Sequence, residues 1–131
     1  MSDRNIIMYA DGGLLGKRNP SPEGVYWSVY SDPPGHIVVH HSSTIHHTNN
    51  EAEWLALQAA FTYAVTHYPK ATSVTVHSDS QLIVNIFNNC WRANDPKMIR
   101  MWRDCARIAS QVKNWQVRWC PRKVIVAYVG H

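Results

Sequence analysis

A chain of 131 residues is the size of one domain, and with 45% hydrophobic and 17% charged residues it carries enough apolar material to bury a core. No apolar run approaches the ~18 residues of a membrane span, and the opening MSDRNIIMYAD, charged on both sides of a short apolar run, does not read as a secretory signal. A net charge of +4 favours a polyanionic partner, while three cysteines (Cys90, Cys105 and Cys120) without a CxxC pair argue against a disulfide framework or a structural zinc site. The expectation is a single domain over residues 1–131, cytoplasmic, monomeric, with no membrane contact and no obligate protein partner.

In chain order, NIIMYA (5–10) reads as an apolar strand that stops at Asp11-Gly12-Gly13, where a Gly- and Pro-rich loop begins. VYWSVYS (25–31) is a second strand, and a DPPG turn leads into a third, HIVVHHSSTIH (36–46). From about residue 51 the hydrophobic period lengthens to near 3.6, placing Trp54, Leu57, Phe61, Ala64, Val65 and Tyr68 on one face of a helix that ends before Pro69. SVTVHSD (73–79) returns to strand, and SQLIVNIFNN (80–89) is a short helix leaving it. PKMIRMWRDCARIASQVKN (96–114) is a longer amphipathic helix with Pro96 in its first turn and Met98 and Trp102 toward the core. WQVRWCP (115–121) alternates as a strand, and VIVAYVGH closes the sequence as a strand or the start of a helix.

This order predicts an α/β fold, a mixed sheet of five strands flanked by helices. Three strands close in sequence form an antiparallel meander, and the fourth, reached by a helical crossover, lies parallel to the first. Five of the eight histidines fall between residues 36 and 47, but neighbours on a strand point to opposite faces, so His40-His41 and His46-His47 do not chelate as pairs.

Three acidic residues stand out by position. Asp11 ends the first strand, Asp79 ends the fourth, and Glu53 lies in the first turn of the helix between them. If strands one and four are parallel neighbours, the two aspartates meet at one edge of the sheet. Clustered carboxylates suit a hard divalent cation, which takes oxygen ligands and leaves positions for water and phosphate, the chemistry of in-line displacement at phosphorus. Each residue also has a plain role: Asp11 as a turn former, Asp79 as a helix cap, and Glu53 in a capping box with Asn50, beside a second such box formed by Thr48 and Glu51.

YADGG, TNNEAEWLAL and HSDSQLIVNIF, with the weaker stretches WRANDPKMIRMW and VRWCPR, span about residues 6 to 122 and resemble the motifs of type 1 ribonuclease H. The resemblance implies a ribonuclease H-like fold and a metal-dependent endonuclease that hydrolyses the RNA strand of RNA/DNA hybrids without sequence preference, leaving 5′-phosphate and 3′-hydroxyl ends. It further implies Mg²⁺, with Mn²⁺ able to substitute, held by catalytic Asp11, Glu53 and Asp79, and Glu51 as a capping residue. Gly12, Gly13, Thr48, Asn49, Asn50, Ser80 and Gln81 match positions that meet the hybrid. Trp91 and Arg92, with Lys97, Arg100 and Arg103, offer a basic and aromatic surface smaller than the Trp-rich insertion of many members.

One departure concerns the fourth carboxylate that the family places at the start of a final helix, since no acidic residue follows Asp104. Gly130-His131 resembles the Gly-His that precedes it, which makes His131 a catalytic candidate and implies that the C-terminal helix is missing. The alternatives are a ribonuclease H-like domain that binds nucleic acid with weakened catalysis, or a nuclease of the same fold acting on another substrate.

Overall fold

The computed structural model describes residues 5–16, 18–19, 22–33, 35–43 and 48–130, with the backbone alone for 36–43. The elements are β1 (Asn5–Leu14), β2 (Val25–Asp32), β3 (His36–Ser43), α1 (Asn49–His67), β4 (Ser73–Ser78), α2 (Gln81–Phe87), α3 (Pro96–Ala109), β5 (Trp115–Trp119) and α4 (Arg122–Val129). They build a five-stranded sheet in the order β3-β2-β1-β4-β5. β1, β2 and β3 pair antiparallel, whereas β4 joins β1 and β5 joins β4 in parallel.

The α1 crossover makes that parallel step possible, and its sequence fits the task. Ala52, Ala56, Ala60 and Ala64 recur at one-turn spacing and are all buried, so the helix lies close to the sheet. Between them Trp54, Leu57 and Phe61 fill the space against Ile6, Met8, Val74, Val76 and Ile83. Burying each such large side chain contributes about 1.5–3 kcal/mol. Val65 and Tyr68, expected on the same face, are only partly buried.

Several boundaries differ from expectation. β1 does not stop at Ala10: Asp11, Gly12 and Gly13 stay in the strand, paired with Ser28, Trp27 and Tyr26 of β2. A helix start at 51 is corrected to Asn49, because Thr48 caps it: the Thr48 hydroxyl accepts from the Glu51 N–H, and the Glu51 carboxylate accepts from the Thr48 N–H. The capping box is therefore the Thr48–Glu51 pair, and Glu53 is released for another role. α3 ends at Ala109, after which tight turns and the Asn114 amide on the Thr72 carbonyl lead into β5.

The expectation that a C-terminal helix is missing is also corrected. Arg122–Val129 form α4, which packs on the opposite face of the sheet from α1, with Ile125, Val129 and Cys120 beside Tyr9 and Tyr30. Gly130 ends it in the left-handed conformation, at φ 97°. Cys90, Cys105 and Cys120 are free thiols, two of them buried. Among the described residues no helix is long and apolar enough to cross a membrane.

Candidate active site

The parallel register of β1 and β4 sets the site. Tyr9 pairs with His77, so two residues further on Asp11 and Asp79 come level. β4 has ended at Ser78 by then, while β1 continues against β2 alone, and the two aspartates stand at the opening left between the strands. Alternation directs Ile6, Met8 and Ala10 to the core under α1, and Asp11 to the face that carries α4.

Glu53 arrives from α1 across Gly12. A Cβ on Gly12 would lie 2.1 Å from the Ala52 carbonyl oxygen and 2.7 Å from the Glu53 nitrogen, so only a bare backbone lets the first turn of the helix sit there. The Gly12 N–H then donates to Glu53 Oε1 at 2.6 Å, fixing the buried carboxylate. Gly12→Ala is expected to displace α1 and cost about 3 kcal/mol or more, read as a lower urea midpoint with unchanged slope.

These placements bring one oxygen each of Asp11, Glu53 and Asp79 within 4.8 Å of one another. Asp11 and Glu53 are buried and Asp79 is partly exposed. Loss of solvent is the main force on both buried acids, and it raises them. The Asp11 carboxyl is pushed up to about 6, with the Asp79 charge adding to burial and Arg122 opposing it. Glu53 is driven well above the usual carboxylate range by burial and then by the charge of Asp11, against the pull of the Gly12 hydrogen bond.

Arg122, the first residue of α4, answers that charge. Its Nη1 donates to Asp11 Oδ1 at 3.1 Å and to Asp79 Oδ2 at 3.0 Å. The Tyr26 hydroxyl makes a longer contact, donating to Asp11 Oδ2 at 3.5 Å, and Trp119 Nε1 donates to the Asp79 carbonyl at 3.1 Å. The donor set fits a small divalent cation: all three side chains offer hard oxygens, and a 4.8 Å spread is close to the ~4.2 Å that separates opposite ligands of a Mg²⁺ ion.

The remaining expected residues are distributed around this centre. Gly12 and Gly13 lie beside Asp11 in β1, with the Tyr26 ring over Gly13. Thr48 and Ser80 are both spent as helix caps, the Ser80 hydroxyl accepting from the Ile83 N–H. Asn49 is exposed and its N–H is held by the Asn19 side chain, Asn50 is partly buried, and Gln81 is exposed at the start of α2. Trp91 and Arg92 line a groove with Ile99 and Trp102 to which none of the carboxylates contributes. His131 and the side chains of the histidines in 36–47 lie outside the described residues. Gly130 sits eight residues beyond Arg122, about 12 Å along the helix, so the Gly-His pair does not follow the last strand as the resemblance implied.

Sequence reasoning missed Arg122 and Tyr26. A signal for Arg122 was present: it follows the end of β5, the parallel neighbour of β4, at the same sheet edge as Asp79. Tyr26 needed the β1–β2 register, which no local pattern supplies.

A mixed sheet with carboxylates from two adjacent parallel strands and from the crossover helix defines the ribonuclease H-like class. Residues 10–127 match the family model described as reverse transcriptase-like. The chain belongs to this family and groups with the type 1 ribonucleases H. It is 30% identical over 118 residues to the bifunctional protein Rv2228c of Mycobacterium tuberculosis, covering 89% of this chain and 31% of that protein. The crystal structure of ribonuclease H1 from Halobacterium salinarum superimposes with a TM-score of 0.74 at 30% identity, covering 92% of this chain and 89% of that one. LC11 ribonuclease H1, solved in complex with an RNA/DNA hybrid, gives a TM-score of 0.78 at 27% identity, covering 94% and 90%. The chain thus spans about a third of the length of the Mycobacterium relative.

Proposed function

We propose that this protein is a metal-dependent endonuclease that hydrolyses the RNA strand of RNA/DNA hybrids, independently of sequence, giving 5′-phosphate and 3′-hydroxyl ends. The observation that carries this reading is the convergence of Asp11, Glu53 and Asp79 within 4.8 Å at one sheet edge, in a chain of this family. The hybrid bound by LC11 ribonuclease H1 supports the choice of substrate.

Asp11, Glu53 and Asp79 would hold Mg²⁺ or Mn²⁺, which supplies charge to activate a water and to neutralise the leaving oxygen. The chain's own work is positional. Gly12 fixes Glu53 through its N–H, and the parallel register holds Asp11 level with Asp79. Asn49, Asn50 and Gln81 carry amides that both donate and accept, suited to the 2′-hydroxyls found on one strand of a hybrid minor groove. Thr48 and Ser80, being caps, would present backbone and position these neighbours, and exposed Trp91 and Arg92 would meet the nucleic-acid backbone and bases without reading sequence.

Incubation with labelled RNA/DNA hybrid, double-stranded RNA and double-stranded DNA, in Mg²⁺ or Mn²⁺, tests this. The hybrid alone should be cut, within its RNA strand. Hybrid binding without cleavage in either metal would overturn the enzyme reading in favour of a binding domain.

A further inference from the structure

We infer that Arg122 is a tethered cation occupying the place between Asp11 and Asp79 in the metal-free protein, and that divalent ions bind by displacing it. The inference rests on the reading of the carboxylates as a metal site. One atom, Nη1, lies 3.1 Å from an Asp11 oxygen and 3.0 Å from an Asp79 oxygen. A Mg²⁺ ion bound to those same oxygens at ~2.1 Å would share both acceptors with Nη1 and stand no more than roughly 5 Å from it, where two cations repel. The two occupants compete for the same oxygens.

The local chain is built to hold the guanidinium there and also to let it go. The Cys120 N–H on the Ser78 carbonyl ties the end of β5 to the end of β4, so α4 begins two residues beyond a fixed point. The Arg122 side chain itself is 56% exposed, so it has solvent to swing into. The need for such a cation follows from burial: Asp11 is wholly removed from water, and Glu53 nearly so, beside a third carboxylate. Uncompensated, those charges would repel each other in a medium of low dielectric. α4 contributes no acidic side chain, so its gift to the site is positive rather than negative.

The test is Mn²⁺ affinity, read from the free-ion EPR signal, for the wild type, Arg122→Gln and Arg122→Lys, all checked for folding by circular dichroism. A charge-assisted contact of this kind competes at about tenfold or more. Arg122→Gln should therefore bind Mn²⁺ at least about tenfold more tightly than the wild type, with Arg122→Lys close to the wild type. On the wild type alone, titration with diamagnetic Mg²⁺ should move the Arg122 Nε–H resonance in a ¹⁵N correlation spectrum, which keeps the test sound should the Gln variant fold poorly. Equal affinities with an unmoved resonance would overturn the inference and leave the metal site standing. Weaker binding by Arg122→Gln would overturn it too, because the guanidinium would then be organising ligands for the metal. No Mn²⁺ binding by any variant would overturn both the inference and the site reading.

Discussion

Glu53→Gln should abolish hybrid cleavage while making the metal-free protein more stable. The two effects share a cause. Glu53 is buried against Asp11, and burial and the neighbouring charge both act against its ionised form. Glutamine keeps the oxygen that accepts the Gly12 N–H at 2.6 Å and removes the charge, so the helix stays docked and the repulsion falls. In the presence of EDTA the melting temperature should rise by a few degrees. Activity should fall about 10³-fold, equivalent to about 4 kcal/mol of transition-state stabilisation, because a neutral amide is a poor ligand for a hard cation.

Glu51, two residues earlier, should behave in the opposite way. It closes the capping box with Thr48 and pairs with Lys97 of α3 at 3.0 Å. Glu51→Ala should cost about 1 kcal/mol of stability and leave cleavage intact where the protein is folded. If Glu53→Gln remains active, Glu53 is a structural residue and the three-carboxylate site is wrong.

The contrast between these glutamates shows what was legible in the sequence. The helix period and the Thr/Asn cluster announced α1, and the crossover rule placed β4 beside β1, so the meeting of Asp11 and Asp79 could be expected before any coordinates. Which glutamate caps and which turns toward the aspartates could not be read locally, because Asn50-x-x-Glu53 and Thr48-x-x-Glu51 satisfy the same pattern. The choice is made by Gly12, forty-one residues from Glu53 in sequence, whose missing side chain admits the helix and whose N–H takes the carboxylate. β1 was read short for a related reason: Asp-Gly-Gly is a turn signal unless a partner strand continues alongside, and Ser28, Trp27 and Tyr26 do continue. Arg122 belongs to the same category. An arginine after a strand is unremarkable until β5 is known to lie next to β4.

The pH dependence of stability follows from Asp11 and should invert when metal is added. Without metal its carboxyl is raised from 3.8 to about 6, by burial first, with Asp79 adding to it and Arg122 opposing. A folded-state pKa above the unfolded one means that the folded chain binds the proton more tightly, so this group's stabilisation is full below about pH 4 and lost as pH rises through about 6. The whole span is worth roughly 3 kcal/mol, and the elevated Glu53 acts in the same direction. Other groups contribute to the pH dependence of the whole chain, so the comparison should be with Asp11→Asn. In EDTA the variant should melt close to the wild type near pH 4 and above it near pH 7.5, the gap opening as Asp11 ionises. Divalent ions reverse this. They take the ionised carboxylate, so Mg²⁺ at a hundred times its dissociation constant should return about 2.7 kcal/mol to the wild type near pH 7.5 and little near pH 4, where protons hold the ligand, and should do little for Asp11→Asn at either. A wild type that is more stable than Asp11→Asn near neutral pH without metal would show that Arg122 alone neutralises the cluster. The Arg122 contacts at 3.0 and 3.1 Å would then outweigh burial, and the carboxylates would need no further cation to be at rest.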